Sequence, residues 1–261
     1  MEKVNYNRNR NIALVLMLLS GLLLCSVTIY CDALSKIENY NYSTKEEYEN
    51  VKAGLSLLDK LPTQFNIVNK YFSDFSNLGI MDKEKIVLAY AIKNGIGLVN
   101  CDTINSICIS KKVLEDTDFS NVFNDNIKLY DESISVYIDG YGMYTAKYMN
   151  SKDYYQVPID TLASDSKLYS SFYKYRMKDD VYIFYLFQGY YKANCTAGEK
   201  LALYDFMDGK EVYEGICNDK GYFSEEPDFD KVDLQLYKYE LKKNDKGKFY
   251  LYGYNPVNKY N

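Results

Sequence analysis

Residues 12–31 read IALVLMLLSGLLLCSVTIYC, a run with no charge and no proline. At ~1.5 Å per residue a helix of this length spans roughly 30 Å, the thickness of a bilayer's hydrocarbon core. Lys3, Arg8 and Arg10 precede the run, against the single acid Glu2, and Asp32, Lys36, Glu38, Glu46 and Glu47 follow it. The positive flank stays in the cytoplasm, so residues 1–11 are expected inside and everything after Cys31 outside. The rival is a cleaved signal peptide, with Cys31 and Ala33 at the recognition positions. Such leaders have apolar cores of about 7–15 residues, so the longer run favours an uncleaved anchor. Leu24 and Tyr30 stand before Cys25 and Cys31, where a lipoprotein signal needs a small residue. Gly21 and Cys25 form a small-xxx-small pair that either lets two anchors pack or is simply tolerated.

The chain of 261 residues carries a formal charge of −5. With Lys3, Arg8, Arg10 and Glu2 set aside, the remainder carries −7. That balance argues against nucleic acid and against anionic lipid as partners. There is no histidine, which removes Ser-His-Asp and Cys-His nucleophile systems and histidine-ligated zinc. Lysine greatly outnumbers arginine, and there are 30 tyrosines. An AT-rich genome alone produces that skew, and this tempers any argument from tyrosine.

Cys25 and Cys31 lie in the apolar run. Cys101, Cys108, Cys195 and Cys217 form an even set in the part expected outside, which reads as two disulfides. Locality favours Cys101–Cys108 and Cys195–Cys217 over the other two pairings. By chain entropy the smaller loop stabilises by about 2.5 kcal/mol and the larger by about 3.4 kcal/mol. Free buried thiols, or a thiolate metal site, are the competing readings. The spacings are not CxxC, and no metal ligand set is proposed.

Periodicity divides the rest. Residues 32–42 read as a polar stalk, and 43–261 as an extracytoplasmic region that is helical over 43–124 and β-rich over 133–256. Ser43 or Thr44 begins a helix with Glu46 or Glu47 as a capping box. Tyr48, Val51, Leu55 and Leu58 form its stripe, and Pro62 follows its end. A second helix is expected over 63–77 and a third from Asp82 to Asn94, stopped by Gly95. A fourth covers 111–124. From 133 the period becomes two. SISVYID runs to a turn at Asp139-Gly140. YSSFYKYRM and VYIFYLFQGYY then flank the turn Lys178-Asp179-Asp180, and the second of these is apolar on both faces, as a central strand should be. LALYDF, EVYEGI, VDLQLYKYEL and KFYLYGY follow. The expected class is α+β, with the helices over one face of an antiparallel sheet; two subdomains are the alternative.

Residue patterns point to binding more than to catalysis. A four-residue loop over Asn244–Gly247 would set Leu241 opposite Tyr250, Tyr239 opposite Tyr252, and Tyr237 opposite Tyr254. Tyr237, Tyr239, Tyr250, Tyr252 and Tyr254 would then share one face. That face is either core or an aromatic platform for a sugar or protein partner. Glu225, Glu226, Asp228, Asp230 and Asp233 resemble calcium ligands in type, but the EF-hand glycine and terminal glutamate are missing, so a solvated acidic loop is expected. Asn194-Cys195-Thr196 fits a glycosylation pattern by chance composition. GxSxG, P-loop and GxGxxG motifs are absent, and Arg176 is the one arginine beyond residue 11. No catalytic residue and no cofactor is assigned. Paired carboxylates have no fixed sequence spacing, so an envelope hydrolase stays as an alternative without a named residue.

The basic tail, the apolar run and the terminal segment LYKYELKKNDKGKFYLYGY together resemble membrane-anchored or secreted proteins of low-GC Gram-positive bacteria whose role is unassigned. The resemblance implies an extracytoplasmic α+β domain and carries no site residue with it. The expectation is a single-pass binding or accessory protein with a surface protein or glycan as ligand. A structural subunit of a membrane complex, anchored through 12–31, is the further alternative. Protease added to intact spheroplasts should digest the tyrosine-rich part of the chain. Protection until lysis would reverse the orientation.

Overall fold

A strand without a polar face must be covered on both sides and paired on both edges. Val181–Lys192 is paired on both edges and covered on one face and part of the other in the computed structural model, which describes residues 42–62, 72, 74–103, 105–123, 127–138, 142–158, 166–192, 195–206, 209–229 and 231–257. In chain order the strands are β1 (Leu98–Val99), β2 (Ser106–Ser110), β3 (Ile134–Ile138), β4 (Gly142–Met149), β5 (Tyr154–Pro158), β6 (Ser166–Lys178), β7 (Val181–Lys192), β8 (Lys200–Tyr204), β9 (Glu211–Ile216), β10 (Leu236–Lys243) and β11 (Phe249–Val257). All pairings are antiparallel. The smaller sheet has the order β1-β2-β5-β4-β3. The larger runs β11-β10-β7-β8-β9, with β6 on the other edge of β7. The class is α+β with antiparallel sheet dominating. The apolar run 12–31 lies outside the described residues, and among those described no helix is long and apolar enough to cross a membrane.

Local chemistry explains the elements. Helix α1 (Lys45–Lys60) begins where the Thr44 hydroxyl accepts from the Glu47 N–H at 3.0 Å, while the Ser43 N–H donates to the Glu47 carboxylate at 2.7 Å. This is a reciprocal cap displaced by one residue. Helix α2 (Ile80–Asn94) ends at Gly95, whose φ of 68° suits a residue without Cβ. The Lys93 ammonium donates to Leu61 O and the Asn94 amide to Lys60 O, so the end of α2 satisfies carbonyls orphaned at the end of α1. Lys178 pairs with Val181, which leaves Asp179 and Asp180 as a two-residue turn, both at positive φ.

One core runs through the layers. Ile86 to Ile92 of α2 are buried on every side of the helix, against the smaller sheet and α1. Helix α1 in turn presents Val51, Gly54, Leu55 and Leu58 toward β7 and β11. Phe184, Tyr237, Tyr239 and Tyr254 close the same core from the larger sheet. A second cluster, with Phe187 stacked on Phe229, covers part of that sheet's opposite face. Cys101 is joined to Cys108 and Cys195 to Cys217, at Cα separations of 5.4 and 6.2 Å. Cross-links of this kind belong to an oxidising environment.

Four expectations need correction. There are two sheets, not one, because the stretch read as a cysteine loop contains β2, whose centre Ile107–Cys108–Ile109 is buried. The helix expected over 63–77 fails at both described ends of its second half. Phe72 exchanges backbone hydrogen bonds with Tyr254 at 3.1 and 2.9 Å, and Phe75–Asn77 is a single 3-10 turn; residues 63–71 and 73 lie outside the described set. The helix expected over 111–124 is α3 (Lys111–Asp116), halted at Thr117, and a 3-10 turn follows at Phe119–Asn121. The final hairpin sets Leu241 opposite Leu251, not opposite Tyr250.

Gly54 is where α1 meets β7: a Cβ there would overlap the Phe184 ring. Replacing a helical glycine by alanine ordinarily stabilises by about 1 kcal/mol. Here overpacking costs roughly 1–3 kcal/mol, so Gly54→Ala should lower the melting temperature. In a Phe184→Leu background the same change should become neutral or stabilising. An unchanged sign in both backgrounds would show that the ring is not what the glycine accommodates.

Candidate functional site

The five tyrosines of the final hairpin do not share a face. Tyr239 lies opposite Tyr254, Leu241 opposite Leu251 and Lys242 opposite Tyr250, with a bulge between Glu240 and Leu241 that takes in Tyr252. Tyr237, Tyr239 and Tyr254 are at most 4% exposed. Tyr237 stacks on Tyr254, with ring centroids 5.6 Å apart, and the Tyr239 hydroxyl donates to Gln188 at 2.7 Å. Burial raises the Tyr239 pKa. Tyr250 and Tyr252 point to the other side of the sheet and are half-buried. The ladder starts with Lys243 opposite Phe249, one residue off the expected register, which sends Tyr250 and Tyr252 to the other face, and Tyr254 returns to the inner face through the bulge. Gly253 permits it, since a Cβ there would overlap the Glu240 carboxylate, and a glycine inside a strand is the signal that could have found it.

The side holding Tyr250 and Tyr252 is the outer face of the larger sheet. Cross-strand partners share a face, so the register builds it row by row. Lys174, Tyr185, Lys238 and Asn255 form one row, and Arg176, Ile183, Glu240 and Gly253 the next. Lys178 beside Val181, and Lys242 beside Tyr250, complete it. Five cations of these described strand rows therefore meet a single acid of the rows, Glu240, which pairs with Lys238 at 2.9 Å, and Asp74 acts on Tyr250 from beside the sheet. The acids Asp179 and Asp180 stand only at the turn. The Lys174 ammonium sits 4.6 Å from the Tyr185 centroid and 5.3 Å from that of Tyr173. Lys242 sits 3.4 Å from the Tyr252 centroid. Burial, and then the neighbouring Arg176 charge, lower the Lys174 pKa. The described residues leave Val181, Ile183 and Tyr185 half-exposed.

A second cluster of titratable groups gathers where α2, α3 and the β4–β5 hairpin meet. The Glu84 carboxyl is 3% exposed. It accepts from the Tyr130 N–H at 3.1 Å, and the Tyr155 hydroxyl lies 2.7 Å from it. The same hydroxyl also makes a close contact with the Tyr130 carbonyl. Burial, the largest influence, raises the Glu84 pKa, and the hydrogen bonds donated by the Tyr155 hydroxyl and the Tyr130 N–H act against it. Outside this knot Lys111 pairs with Asp131, which raises the lysine and lowers the aspartate. The Tyr148 hydroxyl donates to Asp153 at 2.8 Å, and its pKa is pushed up to about 12. Carboxylates held apart in pKa are a pattern of acid-base catalysis. Glu84, however, has its hydrogen bonds committed to the fold and faces no solvent.

The other sequence candidates fall in quiet places. Glu225, Glu226, Asp228 and Asp233 are exposed, Asp228 pairs with Lys231 at 2.8 Å, and Asp230 lies outside the described residues. Among the described residues no group of three or more Cys, Asp or Glu is placed to hold a metal. No protein-family model, curated protein or solved structure matches the chain.

Glu84 gives a pH prediction. Its folded pKa lies above the ordinary value of 4.5, so protonation favours the folded state. That contribution is complete below 4.5 and is lost as pH rises through the folded value. Glu84→Gln keeps a neutral donor and acceptor in place. The variant should gain on the parent in melting temperature as pH rises from 4.5 toward 8. A constant difference across that range would mean that Glu84 is ionised in the fold.

Proposed function

We propose that this chain is a single-pass, extracytoplasmic binding protein. Residues 12–31 hold it in the membrane, and the outer face of the larger sheet takes the ligand or partner. The observation that carries the reading is local charge reversal. A protein of net charge −5 sets five cations of the described strand rows against one acid of those rows, around half-exposed aromatic and aliphatic side chains on one sheet face. The disulfides support the compartment, because cross-linked pairs persist where thiols are not kept reduced. Tyr250 and Tyr252 belong to this face, whereas Tyr237, Tyr239 and Tyr254 support it from beneath.

The same residues weigh against a plain sugar platform. Stacking needs a free ring face, and ammonium groups lie over the rings of Tyr185 and Tyr252. What the surface displays is ordered positive charge beside apolar side chains.

The test is co-sedimentation of the full chain with cell-envelope fractions. Tyr252→Ala with Lys242→Ala should weaken retention severalfold while the melting temperature stays within a few degrees of the parent. Tyr239→Ala should cost roughly 3–5 kcal/mol of stability, as truncation of a buried aromatic does. Parental retention by the Tyr252/Lys242 double variant would remove this face from the function.

A further inference from the structure

The cations of the outer face are not scattered. Lys174, Arg176 and Lys178 occupy alternate positions of β6, and Lys238 and Lys242 occupy alternate positions of β10 about Glu240. Between these two rows lies β7, which shows only Val181, Ile183 and Tyr185 on this side. Strands two places apart in a sheet are separated by roughly 9.6 Å. The surface is therefore an apolar strip with a rail of cations on either side, about 10 Å apart and on the order of 13 Å long.

We infer that this face docks an acidic amphipathic α-helix of a partner protein, its apolar stripe on Val181 and Ile183 and its flanking Asp or Glu side chains on the two cation rails, where Tyr185 holds Lys174. The inference rests on the binding-face reading above and specifies the partner.

Three observations select this occupant. The first is width: a helix with its side chains is about 10–12 Å across, which matches the separation of the rails. The second is the strip itself. A polyphosphate or acidic glycan has charge to offer the rails but nothing apolar for Ile183 and Val181, and burying charge against them carries a desolvation cost. The third is the backbone. The face of a sheet has no free N–H or C=O groups, so an extended peptide laid on it leaves its own main chain unpaired, whereas a helix satisfies its hydrogen bonds internally. About nine helical residues cover the rails, and acids at i, i+4 spacing recur every ~6 Å against ~6.7 Å between alternate strand residues. Among the described residues no helix offers itself as this occupant. Helix α1 spends its apolar stripe on the core, and residues 63–71 contain no acid.

Lys174 is placed to gain from such a partner. It is crowded by Arg176 and poised over Tyr173 and Tyr185, so a carboxylate relieves its repulsion. Glu240, already paired with Lys238, fixes one point of the second rail and penalises a helix whose acids are out of register.

The test uses the full chain in nanodiscs, with empty discs as the blank. The probe is a 21-residue peptide with leucines at i, i+3, i+4 and i+7 and glutamates on both flanks. It should bind in the micromolar range and at least tenfold more tightly than a scrambled peptide of the same composition, and it should weaken as salt rises. Lys174→Glu with Lys238→Glu should cost at least tenfold. A peptide with lysines in place of the glutamates should recover binding to that variant and not to the parent. Ile183→Asn, a second variant on the strip, should weaken the probe without altering the salt dependence. Equal or tighter binding of the scrambled peptide, poly-L-glutamate or polyphosphate would overturn the helix inference and leave a general polyanion face. No binding of any of these probes, with envelope retention still lost in the Tyr252/Lys242 variant, would overturn the inference alone. No probe binding and no effect of that variant would bring down the binding-face reading as well.

Discussion

The larger sheet depends on the main-chain pairing of β7. It bonds along its whole length to β6 on one edge, and to β10 and then β8 on the other. A strand so enclosed can show solvent nothing but the tips of alternate side chains. Its even positions Tyr182, Phe184 and Leu186 go into the main core, and its odd positions divide. Phe187 is capped by Phe229, while Tyr185, Ile183 and Val181 are left half-exposed. The apolar strip of the outer face is the uncapped remainder of a strand too apolar to have a polar side. The surface that best fits a partner thus comes from the same requirement that builds the core.

Sequence patterns were legible where they were long or had strong punctuation. α1 and α2 came from caps and from the Gly95 stop, the β6–β7 hairpin from Asp179-Asp180, and the second disulfide from strands whose pairing brings Cys195 and Cys217 together. Of the smaller sheet, β3 was legible in SISVYID and the β1–β2 part was not. β1 has two residues and β2 has five, and a short apolar run between cysteines carries no period that separates strand from loop. Besides the two-residue β1, β2 pairs with β5, and that contact is about fifty residues away. Phe72 was misread for a related reason: its spacing from Phe75 suits a helix, but its backbone is claimed by Tyr254.

The candidate site failed at one residue and then opened elsewhere. Alternation placed five tyrosines together on the assumption of an unbroken ladder. A turn one residue longer than expected sends Tyr250 and Tyr252 outward, and the bulge at Tyr252 brings Tyr254 back inward beside Tyr237 and Tyr239. Position along the chain named Tyr250 and Tyr252 but not their neighbours, because Lys174, Arg176 and Lys178 lie more than sixty residues earlier. A cation row on an edge strand reads, in sequence, as ordinary protection against edge pairing. It acquires direction only when β10 supplies a second row across β7.

The two charged regions differ in what they do with desolvation. At Glu84 a carboxyl is taken from water, which raises its pKa, and it becomes tolerable by accepting hydrogen bonds from the Tyr155 hydroxyl and the Tyr130 N–H. It ties α2 to β5 and to the segment that precedes β3, and its chemistry is spent there. At the outer face the charges lose only part of their water, and aromatic rings hold the Lys174 and Lys242 ammonium groups in place. Holding them reduces the side-chain entropy lost when an anion arrives, about 0.5–1.5 kcal/mol for each flexible side chain. An ordered cation beside an exposed apolar strip is therefore a prepared surface, and a buried acid knotted to the backbone is a structural one.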